Sequence, residues 1–249
     1  MNLPTHTIAL ATLLLFTAEA CAQISQLDVG LTSQREVIRA FSITAESEAA
    51  PRVLVIAGLD GPSPITEQLL SFAEHYSQRD AAGRGVNLLV IPIANPDADI
   101  LVFPPPGEAY QENPVSHALW RWTGVHAPDI IVIVGDDSAG FSEAASNLAV
   151  AGLGSIPVQT FAEISALTSQ LLEFSELRYS AAHSEVERRL ARSPRELAEQ
   201  LAGIYGREFS TPAYVPGMGM IGRLRLGQTA AIEEQLKNYL ADGEVVVSN

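Results

Sequence analysis

Val53-Leu54-Val55-Ile56-Ala57 running into Gly58-Leu59-Asp60-Gly61, and Val86-Asn87-Leu88-Leu89-Val90-Ile91 running into Pro92-Ile93-Ala94-Asn95-Pro96-Asp97, decide the fold. A strand with one wet face alternates apolar and polar residues. Neither run does, so both read as strands buried on two faces, as in a mainly parallel sheet. Between them Ile65, Leu69, Phe72, Ala73 and Tyr76 recur at helical spacing and mark the crossover helix. Ser63 is expected to cap that helix, with Pro64 at its first position. Ligands of open α/β sheets gather at the carboxyl ends of the strands. That rule singles out Asp60, Ser63, Asn95 and Asp97 as binding residues.

Working outward, Gly30 to Arg35 reads as a turn and Glu36 to Thr44 as an edge or early strand. Phe103 to Pro114 is a proline-bearing loop expected to form a binding wall, and a helix follows around Val115 to Trp122. Ile130-Ile131-Val132-Ile133-Val134 is the most hydrophobic strand, ending in Gly135-Asp136-Asp137-Ser138. Phe141 to Val150 returns as a helix, and Ile156 to Phe161 is a further strand ending at Ala162-Glu163. The fold class is therefore α/β, a mainly parallel or mixed sheet sandwiched by helices. From about Ser165 the pattern is purely helical, with segments at 167–179, 182–192, 194–205 and 229–240. Ser193-Pro194-Arg195-Glu196 is a helix start, and the glycines between Pro212 and Gly227 allow helices to approach closely. The expected division is an α/β domain over 23–165 and a helical C-terminal region over 166–249.

Composition narrows the function. The 249 residues are 47% hydrophobic and 18% charged, with 29 acidic against 15 basic groups and a formal net charge of -14. A surface so acidic repels phosphate backbones, which excludes nucleic acid as a partner. Ile8 to Ala18 is apolar but too short to span a bilayer, and Ala20-Cys21-Ala22 before Gln23 fits the small-x-small rule for signal peptide cleavage. Residues 1–22 are thus expected to be a signal peptide and the protein periplasmic or extracellular. A lipid anchor at Cys21, the sole cysteine, is the alternative; Glu19 speaks against it. No other run reaches the roughly 20 apolar residues of a membrane helix.

With Gly30 to Arg35, Gly58 to Ser63, Asn95 to Asp97, Pro128 to Gly135 and Pro157 to Glu163 in this order, the chain resembles the zinc carboxypeptidase family, including its desuccinylase and aspartoacylase-like branch. The resemblance covers roughly Gly30 to Ser165. Its most specific pieces are Ile91 to Asp97 and Trp120-Arg121-Trp122 followed by Pro128-Asp129. It implies a zinc ion held by a His-x-x-Glu pair after the first core strand and a second His ending a later strand. Such a site leaves a position open for water, whose pKa falls toward roughly 7 so that it can attack a carbonyl. It also implies a Glu general base, and hydrolysis of a C-terminal peptide bond or an N-acyl amino acid. In this chain the ligand positions are Asp60, Ser63 and Gly135. The base position is displaced by one residue to Glu163, which reaches the site only across a bulge. The arginine that would take a substrate carboxylate has no counterpart before Arg121. No zinc cofactor is expected.

Two other chemistries fit the residues. Asp60, Asp136 and Asp137 end adjacent strands and offer oxygens to calcium or magnesium, or else cap helices on a solvated rim. Asp136-Asp137-Ser138-Ala139-Gly140 is similar to a nucleophile elbow with Ser138 as nucleophile, although Asp136 replaces the first glycine; Ser138 as a helix cap is the plainer role. The only later histidine is His183, and His126 reads as a loop residue. The expectation is an exported carboxypeptidase-like binding or structural domain. Its groove, at Asp60, Ser63, Asn95, Asp97, Asp136, Asp137 and Glu163, would hold a peptide, N-acyl amino acid or carbohydrate. The alternative is an active hydrolase, through an altered metal site with Glu163 or as a serine esterase through Ser138.

Overall fold

Three strands without a polar break, β3 (Arg52–Ala57), β4 (Asn87–Ile91) and β5 (Ile130–Val134), form the middle of a six-stranded sheet. The computed structural model describes residues 24–80, 82–109, 111–208, 214–237, 240–241 and 244–245, so the expected signal peptide and Cys21 lie outside the described residues. The chain divides into two units, one ending at Val186 and one starting at Glu187. In the first, β1 (Ser25–Leu31), β2 (Val37–Ile43) and β6 (Val158–Phe161) complete the order β1-β2-β4-β3-β5-β6. Strands β4, β3, β5 and β6 run parallel, while β2 is antiparallel to β4 and β1 to β2. The sheet is therefore mixed.

The unbroken runs arise because both faces are covered. Leu54, Ile56, Leu89, Ile91, Ile131 and Ile133 point into one core, which Leu119 and Trp120 of α2 (Pro114–His126) and Phe141 of α3 (Phe141–Asn147) close. Val53, Val55, Leu88, Val90, Ile130 and Val132 point into the other. There α1 (Ile65–Ser77) contributes Leu69, Ala73 and Tyr76, and α4 (Ile164–Phe174) contributes Leu167, Leu171 and Phe174. Period-two side chains facing two apolar layers leave no position for a polar residue. Helix α4 starts at the boundary expected from sequence, yet its apolar stripe is spent on the sheet, so it belongs to the first unit.

Three local readings change. Strand β1 was not expected: as an edge strand it carries Asp28 and Gly30 among its apolar residues and shows a register shift between them. Helix α1 begins at Ile65 with Pro64 as its cap residue; Ser63 accepts the Thr66 N–H through its backbone carbonyl, not its side chain. His126 is the last residue of α2, its ring lying 3.9 Å from that of Trp122.

Burial, and secondarily the Arg52 guanidinium, holds the His126 imidazole below its ordinary 6.5. A depressed pKa means the unfolded chain binds the proton more readily, so this contribution is complete above 6.5 and is lost as pH falls through the folded value. Urea unfolding between pH 7 and pH 5 is expected to show falling stability on acidification, and His126→Gln to make that fall shallower. An unchanged slope in the variant would refute the assignment.

At the amino ends of β3 and β5, Asp129 is buried and fully committed. Its carboxylate accepts the N–H groups of Arg52 (2.8 Å) and Ser180 (3.0 Å) and lies 2.7 Å from Nδ1 of His183, on which Tyr179 stacks. His183 belongs to α5 (Ala181–Leu190), the helix along which the chain leaves the first unit.

The second unit contains α6 (Pro194–Ile204), α7 (Tyr214–Arg225), α8 (Thr229–Leu236) and a short antiparallel pair, β7 (Leu240–Ala241) with β8 (Glu244–Val245). Ser193 and Glu196 exchange hydrogen bonds in a capping box that starts α6, as their spacing indicates. A Cβ on Gly206 would lie 2.7 Å from the backbone of Gly219, so this pair of glycines lets α7 reach the turn after α6.

Candidate functional site

The chain leaves β3 for β4 on one side and returns to β5 on the other, so the strand order reverses between β3 and β5. A crevice at the carboxyl ends is expected at such a switch point. The Gly58–Gly61 turn forms one lip. Pairing continues beyond the strands, with Ala94 N–H donating to Ala57 O (2.9 Å) and Asn95 N–H to Gly58 O (2.9 Å). Gly58 has φ 65, and a Cβ there would come within 2.9 Å of Gly61 O. The sequence folds tightly here because only glycine tolerates both.

The residues expected to bind divide into two groups. Asp60, Asp136 and Ser138 are exposed on the rim and Ser63 is half-buried. The others are consumed by the fold. Asn95 is wholly buried: its amide donates to Leu59 O (2.9 Å) and Asp99 O (2.8 Å), and its oxygen accepts Asp99 N–H (3.0 Å). Asp97 holds the β1–β2 turn, accepting from Gln34 N–H (3.1 Å) and the Ser33 hydroxyl (3.2 Å). The Thr32 hydroxyl foremost, then Gln34 and Ser33, keep its carboxyl below the usual range against the opposing effect of desolvation. Asp137 caps α3, accepting from Phe141 N–H (3.0 Å) and Ser142 N–H (2.9 Å).

Neither catalytic candidate finds its partners. Strand β6 pairs with β5 in unbroken register to Phe161, so there is no bulge to turn Glu163 toward the crevice. Glu163 is instead the cap residue of α4, its carboxylate 3.3 Å from the Ser165 hydroxyl. Ser138 follows the carboxyl end of β5, whereas His183 is bound to Asp129 at the amino end; a five-residue strand of roughly 17 Å separates them. They form no serine–histidine pair.

The zinc site implied by the family resemblance does not fit these donors. At the three ligand positions stand a carboxylate, a hydroxyl and Gly135, and Gly135 adopts φ 102 with Ile65 Cδ1 3.1 Å from where a Cβ would sit. A side chain there is strained by the backbone angle, so a histidine would be held at a cost. Among the described residues no three His, Cys, Asp or Glu side chains come together to hold a metal ion.

Away from the rim, a cleft of about 610 Å³ lies between β1 with its following turn and one face of α2. Arg35, His117, Arg121 and Trp122 line it, none of them among the binding or catalytic residues expected from sequence. The available signal was the spacing Pro114, His117, Ala118, Arg121, Trp122, Val125, one stripe of a helix whose opposite face is core.

No protein-family model and no curated protein matches the chain. Solved structures do. A metallo-carboxypeptidase from Burkholderia cenocepacia is similar over 49% of this chain and 38% of its own, with 17% identity and a TM-score of 0.36. One from Pseudomonas aeruginosa is similar over 45% and 35%, with 18% identity and a TM-score of 0.37. An aspartoacylase family protein from Mesorhizobium loti is similar over 45% and 40%, with 15% identity and a TM-score of 0.36. The chain thus spans well under half the length of the metallo-carboxypeptidase and aspartoacylase-family structures it resembles.

Proposed function

We propose that the first unit is an exported binding domain with a carboxypeptidase-like sheet, which holds a peptide, an N-acyl amino acid or a carbohydrate without zinc-dependent cleavage. The observation that carries this reading is Gly135, whose left-handed backbone stands where the family resemblance requires a second imidazole. Asp60 and Ser63 at the other two positions agree with it, since a hydroxyl and a lone carboxylate are poor substitutes for zinc's usual set. The exposed oxygens of Asp60, Asp136 and Ser138 are left to hydrogen-bond a polar ligand at the strand ends. Ser138 without His183 lacks the base that a nucleophilic serine requires.

The test is metal-dependent melting and hydrolysis with the full chain, dialysed and then offered zinc, calcium and magnesium separately. A native-state ligand at about 100 times its dissociation constant adds about 2.7 kcal/mol, a readable shift in melting temperature. No zinc shift and no release of amino acid from hippuryl or N-acyl substrates is expected. One zinc per chain, with hydrolysis abolished by Asp60→Ala, would restore the peptidase reading.

A further inference from the structure

We propose that the cleft between β1 and α2 is a binding site for a small organic anion, with a carboxylate or phosphate head at Arg35 and Arg121 and an apolar body beside Trp122. The cleft is separate from the strand-end rim, so this inference does not rest on the function proposed above. Its charge is the first observation. The protein carries a net charge of -14, yet among the described residues the cleft is lined by two arginines and a histidine and by no aspartate or glutamate. Guanidinium groups present paired N–H donors that match the two oxygens of a carboxylate or phosphate.

Arg35 is the second. It adopts φ 69, a left-handed conformation that costs a non-glycine residue roughly 1–2 kcal/mol. The turn that holds it is over-determined: Arg35 N–H donates to Thr32 O, Thr32 N–H to Glu36 O, and the next two residues back are tied to Asp97 and Asp99. The backbone is therefore fixed before a ligand arrives. Among the described residues no carboxylate pairs with the Arg35 side chain. A fixed backbone that carries an exposed guanidinium at the edge of a cleft reduces part of the ordering cost of an anion site.

The remaining wall supplies shape. His117 is tied through Nε2 to the carbonyl of Pro106 (3.1 Å), which brings the proline-bearing loop to α2 beside the cleft. Val29, Leu31 and Val125 give apolar contact. A volume of about 610 Å³ lies within the roughly 300–1,000 Å³ of small-molecule pockets.

Trp122 makes the site readable, because the protein's second tryptophan, Trp120, packs in the core against Phe103 and Phe141. The experiment titrates the full chain with benzoate, phenyl phosphate and neutral benzamide, following tryptophan fluorescence and checking binding by calorimetry. At least one anion is expected to saturate below about 1 mM while benzamide does not, and Trp122→Phe to remove most of the fluorescence change. Arg35→Gln and Arg121→Gln are each expected to weaken binding about tenfold or more, as loss of a charge-assisted bond does. Arg39→Gln, on exposed β2 surface, is the control and leaves affinity unchanged. The stronger of the two anions identifies the head group. Saturation by neither, an equal response to benzamide, or unchanged affinity in Arg35→Gln overturns the proposal. Arg35 is exposed, so its variant keeps the test decisive even if Arg121→Gln disturbs α2.

Discussion

Asn95→Ala is expected to lower folding stability by about 3 kcal/mol or more, the largest effect of any single change at the sheet's carboxyl edge. The substitution leaves Leu59 O, Asp99 O and Asp99 N–H without their partner; Asn95 is wholly buried and Leu59 nearly so, while the two bonds to Asp99 are part-buried. Each unsatisfied buried group costs about 1–3 kcal/mol, and partial hydration of the collapsed turn keeps the sum below the simple total. Asn95→Asp is expected to be worse, because it keeps the acceptor, removes both donors and places a carboxylate in the interior. Urea unfolding followed by circular dichroism checks both. A variant of native stability would mean that Asn95 does not fasten the Gly58–Asp60 turn to residues 95–99.

Asp129→Ala is the second, with an expected loss of about 3–5 kcal/mol, since each buried donor left unsatisfied costs about 1–3 kcal/mol. Three donors converge on this carboxylate: Arg52 N–H, Ser180 N–H and His183 Nδ1. Asp129→Asn retains one acceptor oxygen and is expected to fall between wild type and alanine. Amide exchange gives a local readout: the Ser180 amide should lose protection in both variants before the β5 amides do. If Ser180 keeps its protection, the carboxylate does not hold the segment before α5.

Both residues show where sequence reasoning loses its hold. Asn95 was read as a ligand because it follows a strand, but Asn-Pro-Asp is also a turn signal whose amide bonds back to local backbone. In the structure the turn takes both N–H donors of the amide and one hydrogen bond at its oxygen. Asp129 and His183 are separated by 54 positions, and nothing in their spacing announces a pair. Strands β3, β4 and β5 were legible because burial on both faces leaves an unbroken apolar run. Strand β1 was not, because an edge strand is held by its backbone and can carry Asp28 and Gly30 without penalty. Helices α6 and α8 of the second unit were legible from their period, and α6 also from its cap at Ser193 and Glu196, whereas α7 was read only as a glycine-bearing stretch. Arg35 illustrates the last kind of loss: its backbone angle comes from the turn as a whole, and its neighbours in sequence do not reveal it.

Gly135 sets a limit on redesign. An engineer seeking to install a zinc centre on this sheet would naturally restore histidines at positions 60 and 135 and a glutamate at 63. At 60 and 63 that means exchanging exposed or half-exposed side chains. At 135 it means placing a side chain on a backbone at φ 102 and moving the end of the Ile65 side chain, at the start of α1, by a few tenths of an ångström. A point substitution there carries backbone strain of about 1–3 kcal/mol, which rebuilding the segment that joins β5 to α3 would remove.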